Sequence, residues 1–364
     1  MTVDTRTYAP DFVLKINGVD FRHGANIDIL SISITESATG SDSFQISVRD
    51  RHPVLERFPN GEELKWMDSD QFEDRNEVEI ELGYVQNRTL RFVGLITAVA
   101  ISFPESGVPT LTIQGQSLYK KLQEERTSKP FASKRDGDIV REIAGRLKLT
   151  AQVDETNTEH ETVSYVGSTY AAILQERAER LHYEVGVKQR TLHFQKPRYL
   201  VSTSPALTLT WGERLLSFNP RLSTSNMPTT VIQRSPQTAR GGDKMQPIVS
   251  QTTADEFTPR LGRRSGPQIV KEKGGNTVVL SSDHRVETPE EGQAHVQAKM
   301  RERALGFVQG DGATIGTPEL VARTVIELKG LGKKFSGKYY VTSTTHTIDA
   351  SGYRTTFSVK RDAI

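Results

Sequence analysis

Eight histidines, 45 acidic residues and several glycine-rich stretches are where chemistry could sit in this 364-residue sequence. The histidines are scattered, and none stands in the His-Glu-x-x-His spacing that puts two imidazoles on one helix face for a zinc ion. Glu159-His160-Glu161 lies in a polar stretch and reads as solvated rather than metal-binding. GQSLY, Gly115 to Tyr119, has tyrosine where a nucleophile elbow needs its second glycine. GDGATIG, Gly310 to Gly316, does not match G-x-G-x-x-G, lacks a following Gly-Lys-Ser/Thr, and precedes a strand where a phosphate cradle needs a helix N-terminus. It reads as a strand-to-strand turn. The carboxylates Glu290 and Glu291 fall in the first turn of an expected helix, where negative charge complements the helix dipole.

Arg260, Arg263, Arg264, Lys271 and Lys273 make the one local positive run. Phosphate-binding patches interleave such residues with aromatics, and only Phe257 is near. A solvated loop is the first reading and nucleic-acid contact the last, with docking to another protein between them. Across the chain 47 basic residues against 45 acidic ones leave a net charge of +2, too little for a field that draws a phosphate backbone. The chain has no cysteine, which excludes disulfides, thiolate zinc sites, iron–sulfur clusters and a cysteine nucleophile. No catalytic, cofactor-binding or metal residue is therefore nominated, and no cofactor is expected.

The elements that would carry any site are mostly strands. From Phe12 to about Ser117, short runs such as ILSISITE and EVEIELGYV alternate apolar and polar residues between Gly, Asn, Pro and Asp breaks. In ILSISITE, Leu30, Ile32 and Ile34 share one face and Ser31, Ser33 and Thr35 the other. Helices are expected over 136–149, with Asp136 accepting from the free amides, and over 170–184, capped by Ser168 or Thr169. A third runs from about Thr288 to Leu305, with Pro289 in its first turn and an apolar stripe at Ala294, Ala298 and Met300 to Ala304. The resulting fold class is mainly β with α+β insertions. Residues 1–117 read as a first β unit, a barrel or sandwich, 118–200 as an α+β insertion, 201–234 with 285–364 as a second β unit with its helix, and 235–284 as an extended, partly mobile surface excursion.

One feature repeats. GLITAVAISFPESGVPTLTIQGQS, from Gly94, and GKYYVTSTTHTIDASGYRTTFSVKRDAI, from Gly337, are both strand, Ser-Gly turn, strand. Setting Gly107 on Gly352, 245 positions apart, also pairs Thr97 with Thr342, Ser106 with Ser351 and Thr110 with Thr355. Beyond the turn the apolar face slips by one residue, from Leu111 and Ile113 to Phe357 and Val359, and a bulge could absorb the slip.

The order DGDIVREIAGRLKL (136–149), YAAILQERAERLHYEVGVKQRTLHF (170–194), LTWGERLLSFNPRLS (209–223) and the terminal hairpin resembles the late control D proteins of contractile phages and the N-terminal hub portion of VgrG spike proteins. The resemblance implies two tail-tube-like barrels per chain in a homotrimer, a pseudo-sixfold ring that adapts a sixfold tube to a threefold spike. It implies a tail-tube initiator, a separate spike trimer and other baseplate proteins as partners, and a structural, non-enzymatic role. Tyr339, Tyr340, Tyr353 and Phe357 are its candidate interface or core residues. With no signal-like N-terminus and no run of about 18 apolar residues, synthesis in the bacterial cytoplasm and assembly into a phage tail or injection particle are expected, with no membrane or direct nucleic-acid contact. The alternatives are a hub with cell-wall-degrading activity, which needs paired carboxylates in a cleft, and a DNA-binding late-gene regulator.

Overall fold

The structure, a computed structural model, describes residues 9–21, 28–50, 64–156, 158–235, 247–281, 286 and 288–364. Its first third is strand: β1 (Pro10–Ile16), β2 (Val19–Asp20), β3 (Ile29–Ser37), β4 (Ser43–Arg49), β5 (Glu77–Tyr84), β6 (Asn87–Ser102) and β7 (Thr110–Ser117). Alternation decides what each strand buries. Ile32 and Ile34 of β3, Phe44, Ile46 and Val48 of β4, and Leu111 and Ile113 of β7 turn into one core with Ile80, Leu82 and Phe92. Leu30 departs from the expected face: the register of β3 against β4 shifts between Ile29 and Ser31, so Leu30 bulges out and is partly exposed.

The middle of the chain holds β8 (Arg126–Thr127), β9 (Phe131–Arg135), β10 (Thr150–Val153), β11 (Glu159–Val163), β12 (Ser168–Thr169), β13 (Glu184–Lys188) and β14 (Thr191–Gln195), with helices Tyr119–Glu124, Asp136–Arg146 and Tyr170–Leu181. The two longer helices lay Ile139, Ile143, Ile173 and Leu174 on Val185, Leu192 and Phe194 of the β10-β14-β13 sheet. Thr169 caps the second of them, its hydroxyl accepting from the amide of Ala172 at 3.1 Å. Asp136 does not cap. It is buried, and its carboxylate receives the Arg177 guanidinium and His160 Nε2 at 3.1 Å. His160 therefore belongs to β11 and to this buried pair, not to a solvated linker.

The last part comprises β15 (Leu207–Thr210), β16 (Leu215–Leu222), β17 (Thr230–Ser235), β18 (Ile248–Thr253), β19 (Val278–Ser281), β20 (Val308–Ile315), β21 (Val325–Lys329), β22 (Gly337–Asp349) and β23 (Gly352–Arg361). GDGATIG is thus mostly strand β20 rather than a turn. Its glycines make room for rings: a Cβ on Gly312 would sit 2.4 Å from the Phe357 ring, and one on Gly310 2.6 Å from that of Phe218. Helix Pro289–Leu305 starts on Thr288, whose hydroxyl accepts from Glu291, with Pro289 in the first turn. Its buried stripe is Gly292, His295, Val296, Met300 and Ala304, while Ala294 points to solvent.

The expected excursion at 235–284 is the largest correction. Residues 236–246 lie outside the described residues, but β18 and β19 flank β17 in a three-stranded sheet, and helix Gly266–Glu272 starts on a capping box made by Ser265 and Gln268. Phe257 packs with Val231, Val296 and Met300. The loop before the helix is stitched to the end of β23 and beyond. Asp362 accepts from the amides of Arg260 (2.7 Å) and Leu261 (2.9 Å), and Ile364 exchanges hydrogen bonds with Arg263 and Arg264. The basic run is not a free patch: Arg264 pairs with Glu272, Lys271 with Asp255, and Arg260 Nη2 donates to the Leu200 carbonyl at 2.8 Å.

Thirteen strands share one sheet in the order β16-β20-β23-β22-β3-β4-β7-β6-β5-β1-β2, with β21 also on β22 and β15 on β21. Every neighbouring pair on the main path is antiparallel. Two cores lie under it. One holds the β3-β4-β7 residues named above, and the other gathers Leu209, Leu215, Phe307, Ile326, Leu328, Tyr339, Val341 and Phe357.

If residues 247–281 are a built part of the fold, truncating Leu261, which is almost fully buried, to alanine lowers stability by about 2–5 kcal/mol. A loose loop would give under about 0.5 kcal/mol. Urea unfolding of Leu261→Ala against the parent chain measures the difference.

Candidate functional site

The repeated hairpin proves to be the visible part of a larger repeat. In the β6–β7 hairpin the register shifts between Ile96 and Ala98, leaving Thr97 as the extra residue. In the β22–β23 hairpin it shifts between Val341 and Ser343, leaving Thr342. Thr97 and Thr342 are the same 245 positions apart as the two turn glycines. On the return arms the match is one residue shorter: Ile96 pairs with Gly115 and Val341 with Val359, so Ile113 corresponds to Phe357. The one-residue slip therefore sits in the turn. Both hairpins carry a bulge, at the same place, and it does not cause the slip.

The correspondence continues outward. β7 pairs with β4 and β23 with β20; β4 pairs with β3 and β20 with β16. Leu30 is the bulged residue of β3 and Leu216 that of β16, each flanked by a matching pair, Ile29 with Leu215 and Ser31 with Ser217. Four strands with two bulges at matching positions thus occur twice, as β3-β4-β7-β6 and β16-β20-β23-β22. Bulges fix register and local twist, so the two blocks are one design used twice.

Each block turns a polar surface away from its core. Ser33, Thr35, Gln45, Thr112 and Gln114 face out in the first, and Asn219, Asp311, Thr345, Thr356 and Ser358 in the second. Hydroxyls and amides dominate, and no large apolar side chain interrupts them. Across the seam between the blocks the hydroxyls meet, Ser33 with Thr347 at 3.3 Å and Thr35 with Thr345 at 3.1 Å.

The seam itself is β3 on β22, from Ser31 opposite Asp349 to Ser37 opposite Ser343. Its core side is charged. Glu36, with 4% of its side chain exposed, meets Arg91, with 3%, at 2.7 Å. Arg91 also donates to the Pro318 carbonyl at 2.8 Å, and Thr344 donates to Glu36 at 3.3 Å. His346 lies beside them, with Nε2 2.9 Å from both the Leu320 carbonyl and Arg91 Nη2, and Nδ1 2.8 Å from the Tyr353 hydroxyl. Burial and the adjacent Arg91 charge hold it well below the usual imidazole range, so it stays neutral. The middle region joins the same cluster. Lys188 lies 3.9 Å from Glu36, and Tyr340 donates to Glu184 at 2.6 Å. Burial pushes the Glu184 carboxyl up to about 6, and burial with the Glu36 charge pushes Asp42 up to about 7.

The chain's own interior encloses the four aromatic candidates. Tyr339 and Phe357 lie in the second core against Phe218, at 5.6 and 6.4 Å between ring centres. Tyr340 packs at a tilt against Tyr199, 5.0 Å between ring centres, and Tyr353 reaches across the seam into the first core against Tyr84 at 5.6 Å. In the isolated chain they are packing residues. Among the described residues no group of three His, Asp or Glu is placed to hold a metal ion, and no helix is long and apolar enough to cross a membrane.

The fold has counterparts among solved structures. A 43 kDa tail protein of prophage MuSo2 from Shewanella oneidensis is 14% identical, with a TM-score of 0.73 over 97% of this chain and 99% of that one. A tail protein from Neisseria meningitidis MC58 is 13% identical, with a TM-score of 0.69 over 98% and 97%. An E. coli component of the type VI secretion system, described as similar to the T4 tail proteins gp27 and gp5, is 11% identical, with a TM-score of 0.54 over 96% of this chain and 76% of that one. The architecture is thus a phage tail-protein fold. Within it, the chain belongs to the Alg8 N-terminal domain family, whose model matches residues 9–350. No curated protein matches the chain.

Two expectations follow from the seam. Arg91→Ala leaves the buried Glu36 carboxylate with only Lys188, 3.9 Å away, as a cation, a loss of about 3 kcal/mol, and adding Glu36→Gln restores part of it; thermal or urea unfolding of the single and double variants measures both. For pH, the raised carboxyl of Asp42 binds its proton more tightly folded than unfolded. Its contribution is full below its ordinary value of 3.8 and is lost as pH rises through about 7. Acidification from pH 8 to 5 therefore stabilises the parent relative to Asp42→Asn, by about 1–2 kcal/mol once solvent screening of this half-buried group is allowed for. Melting curves across that range should show a flatter profile for the variant.

Proposed function

We propose that the chain is a structural baseplate hub, a homotrimer that joins a sixfold tail tube to a threefold spike in a contractile phage tail or injection system. The observation that carries this reading is the duplicated four-strand block with matched bulges. A closed interface cannot match six equivalent patches to three unless each of the three chains offers two. One chain here carries two such blocks edge to edge in one sheet, so three chains would present six.

The proteins of known structure described above as tail proteins support the reading through shared fold, and the type VI secretion component through the likeness to gp27 and gp5 that its description gives it. In this proposal residues 1–117 and the second unit, 201–234 with 285–364, are the two ring-forming units, and 118–200 braces them through Glu184 and Lys188. Residues 247–281 back the second unit through β18, β19 and helix Gly266–Glu272. The hub would be made in the bacterial cytoplasm and assembled with a tube initiator, a spike trimer and other baseplate proteins. Its work is mechanical: it nucleates the first tube ring and moves with the spike, and no chemical step is assigned to it.

Native mass spectrometry of the purified full chain, with negative-stain images, tests this. Three chains per particle with a ring of six similar lobes is expected. A monomer at every concentration up to the highest measured overturns the hub reading, and turnover of peptidoglycan by the pure protein replaces it with the wall-degrading one.

A further inference from the structure

Because the two blocks are built alike, a difference between corresponding positions on their outward faces marks something one block does and the other does not. The matched bulges set Thr35, Ser43 and Gln116 of the first block on Arg221, Gln309 and Lys360 of the second. In each block the three stand in one row across three strands: Thr35 pairs with Ser43 and Ser43 with Gln116, as Arg221 pairs with Gln309 and Gln309 with Lys360. The first row is uncharged. The second carries a cation at each end, about 10 Å apart at the backbone given the ~4.8 Å spacing of neighbouring strands.

A third cation completes the set. Helix Pro289–Leu305 ends against this row and brings Arg303. β3 reaches β4 through residues 38–42 alone, so the first block has no such helix and no counterpart of Arg303. Arg221, Arg303 and Lys360 line one pocket of about 370 Å³, with Ser223, Asn226 and Gln309 among them.

We propose that this pocket binds a phosphoryl group, carried by a small ligand with two or more negative charges. The site goes beyond the hub reading and does not rest on it.

The first support is the missing counter-ion. Elsewhere the chain pairs many surface cations, as in Arg190 with Glu77 and Glu79, Arg264 with Glu272 and Lys271 with Asp255. Arg221, Arg303 and Lys360 have no ion pair among the described residues. The acids beside them are taken: Glu302 pairs with Lys299 at 3.3 Å, and Asp311, the next outward residue of β20, accepts from the Ser358 hydroxyl at 2.6 Å. Like charges gathered on neighbouring positions repel. An anion seated among them turns that repulsion into attraction.

The second support is the neutral lining. Ser223 Oγ accepts from the Ser225 amide at 3.2 Å, which leaves its own hydroxyl hydrogen to donate. Asn226, held in the left-handed region at φ 65°, adds a side-chain amide. Gln309 Nε2 donates to the Gly306 carbonyl at 3.2 Å. It thereby covers a carbonyl at the helix end, whose partial negative charge would otherwise oppose an anion.

The third is the shape of the demand. Two guanidinium forks, an ammonium and hydroxyl and amide donors exceed what one carboxylate can accept, and they suit a group with three or more acceptor oxygens. No aromatic ring lines the pocket, and the cations surround one hollow instead of following a track. Single-stranded nucleic acid needs both stacking platforms and a charged groove, so a small phosphorylated ligand is the better occupant.

Isothermal titration of the purified full chain tests this, with inorganic phosphate, pyrophosphate, glycerol 3-phosphate and a short single-stranded oligonucleotide lacking terminal phosphates as probes. Chloride holds the ionic strength constant. At least one phosphoryl probe should bind saturably, one per chain, and the tighter of the free and esterified probes names the source. The first block supplies the variants: Arg221→Thr and Lys360→Gln give the second row the residues that Thr35 and Gln116 already place on the same strands of a folded block. Each should weaken the bound probe about tenfold or more, the loss of one hydrogen bond to a charged group, and the double variant should abolish binding. Lys333→Gln, an exposed cation outside the pocket, should change nothing. Urea unfolding without ligand separates lost affinity from lost fold, and Arg303→Gln repeats the test from the helix side. Equal binding by the parent and the folded double variant, or no saturable binding at millimolar probe, overturns the site. An oligonucleotide that binds more tightly than every phosphoryl probe, and is lost in the same double variant, overturns the small ligand in favour of nucleic acid. None of these readings depends on how many chains assemble, so failure here leaves the hub reading standing.

Discussion

A carboxylate with almost no access to water is the point on which the two halves of this protein meet. Glu36 sits on the core face of β3, where alternation would place an aliphatic residue after Ile32 and Ile34. Taking an isolated charge out of water is expensive, and the site persists because Arg91 and Thr344 close around it. Those partners come from β6 and β22. The ion pair therefore ties the first core to the second hairpin, and His346, Tyr353 and Lys188 are arranged around it. Apolar residues at the same place would let the halves slide; a buried pair of fixed geometry sets one register. Across the same strands the Ser–Thr pairs on the outer face read the same alignment from the other side.

The strands were largely legible from alternation, and so were the cap at Thr169 and the helix start near Thr288, because these signals are local. What was missed is non-local or hidden by composition. Glu36 was visible as a charge in an apolar run, but its partners lie 55 and 308 positions away in sequence, where no spacing rule reaches. Residues 247–281 looked like an excursion because they carry few large apolar side chains; Leu261, Phe257 and Ile269 suffice because each fills a gap in an existing core. The Ser265-to-Gln268 capping box with Pro267 was the local signal that a helix begins there. The repeat showed as four identities in one hairpin. Its extent could not be read from identity, since β3 and β16 share little beyond Leu-Ser at the bulge; only the pairing register reveals it.

The duplicated blocks also explain why the most regular part of the chain has the least remarkable composition. Their outward face is mostly hydroxyl and amide, with a few charges among them, as at Arg49, Asp311 and Lys360. A surface of that kind satisfies water while presenting few fixed charges to what lies opposite.

The seam has a further consequence in time. Residues 31–37 are synthesised long before residues 343–349, with which they pair. At about 5–20 residues per second the ribosome needs roughly 15–60 s to bridge that interval. For that time β3 carries an open edge and Glu36 lacks Thr344. Closure over so great a sequence separation is slow as well as late. The first unit must therefore be held soluble while it waits, by Arg91 within it and by its hydroxyl-rich face, so that β22, made late, finds the place kept for it.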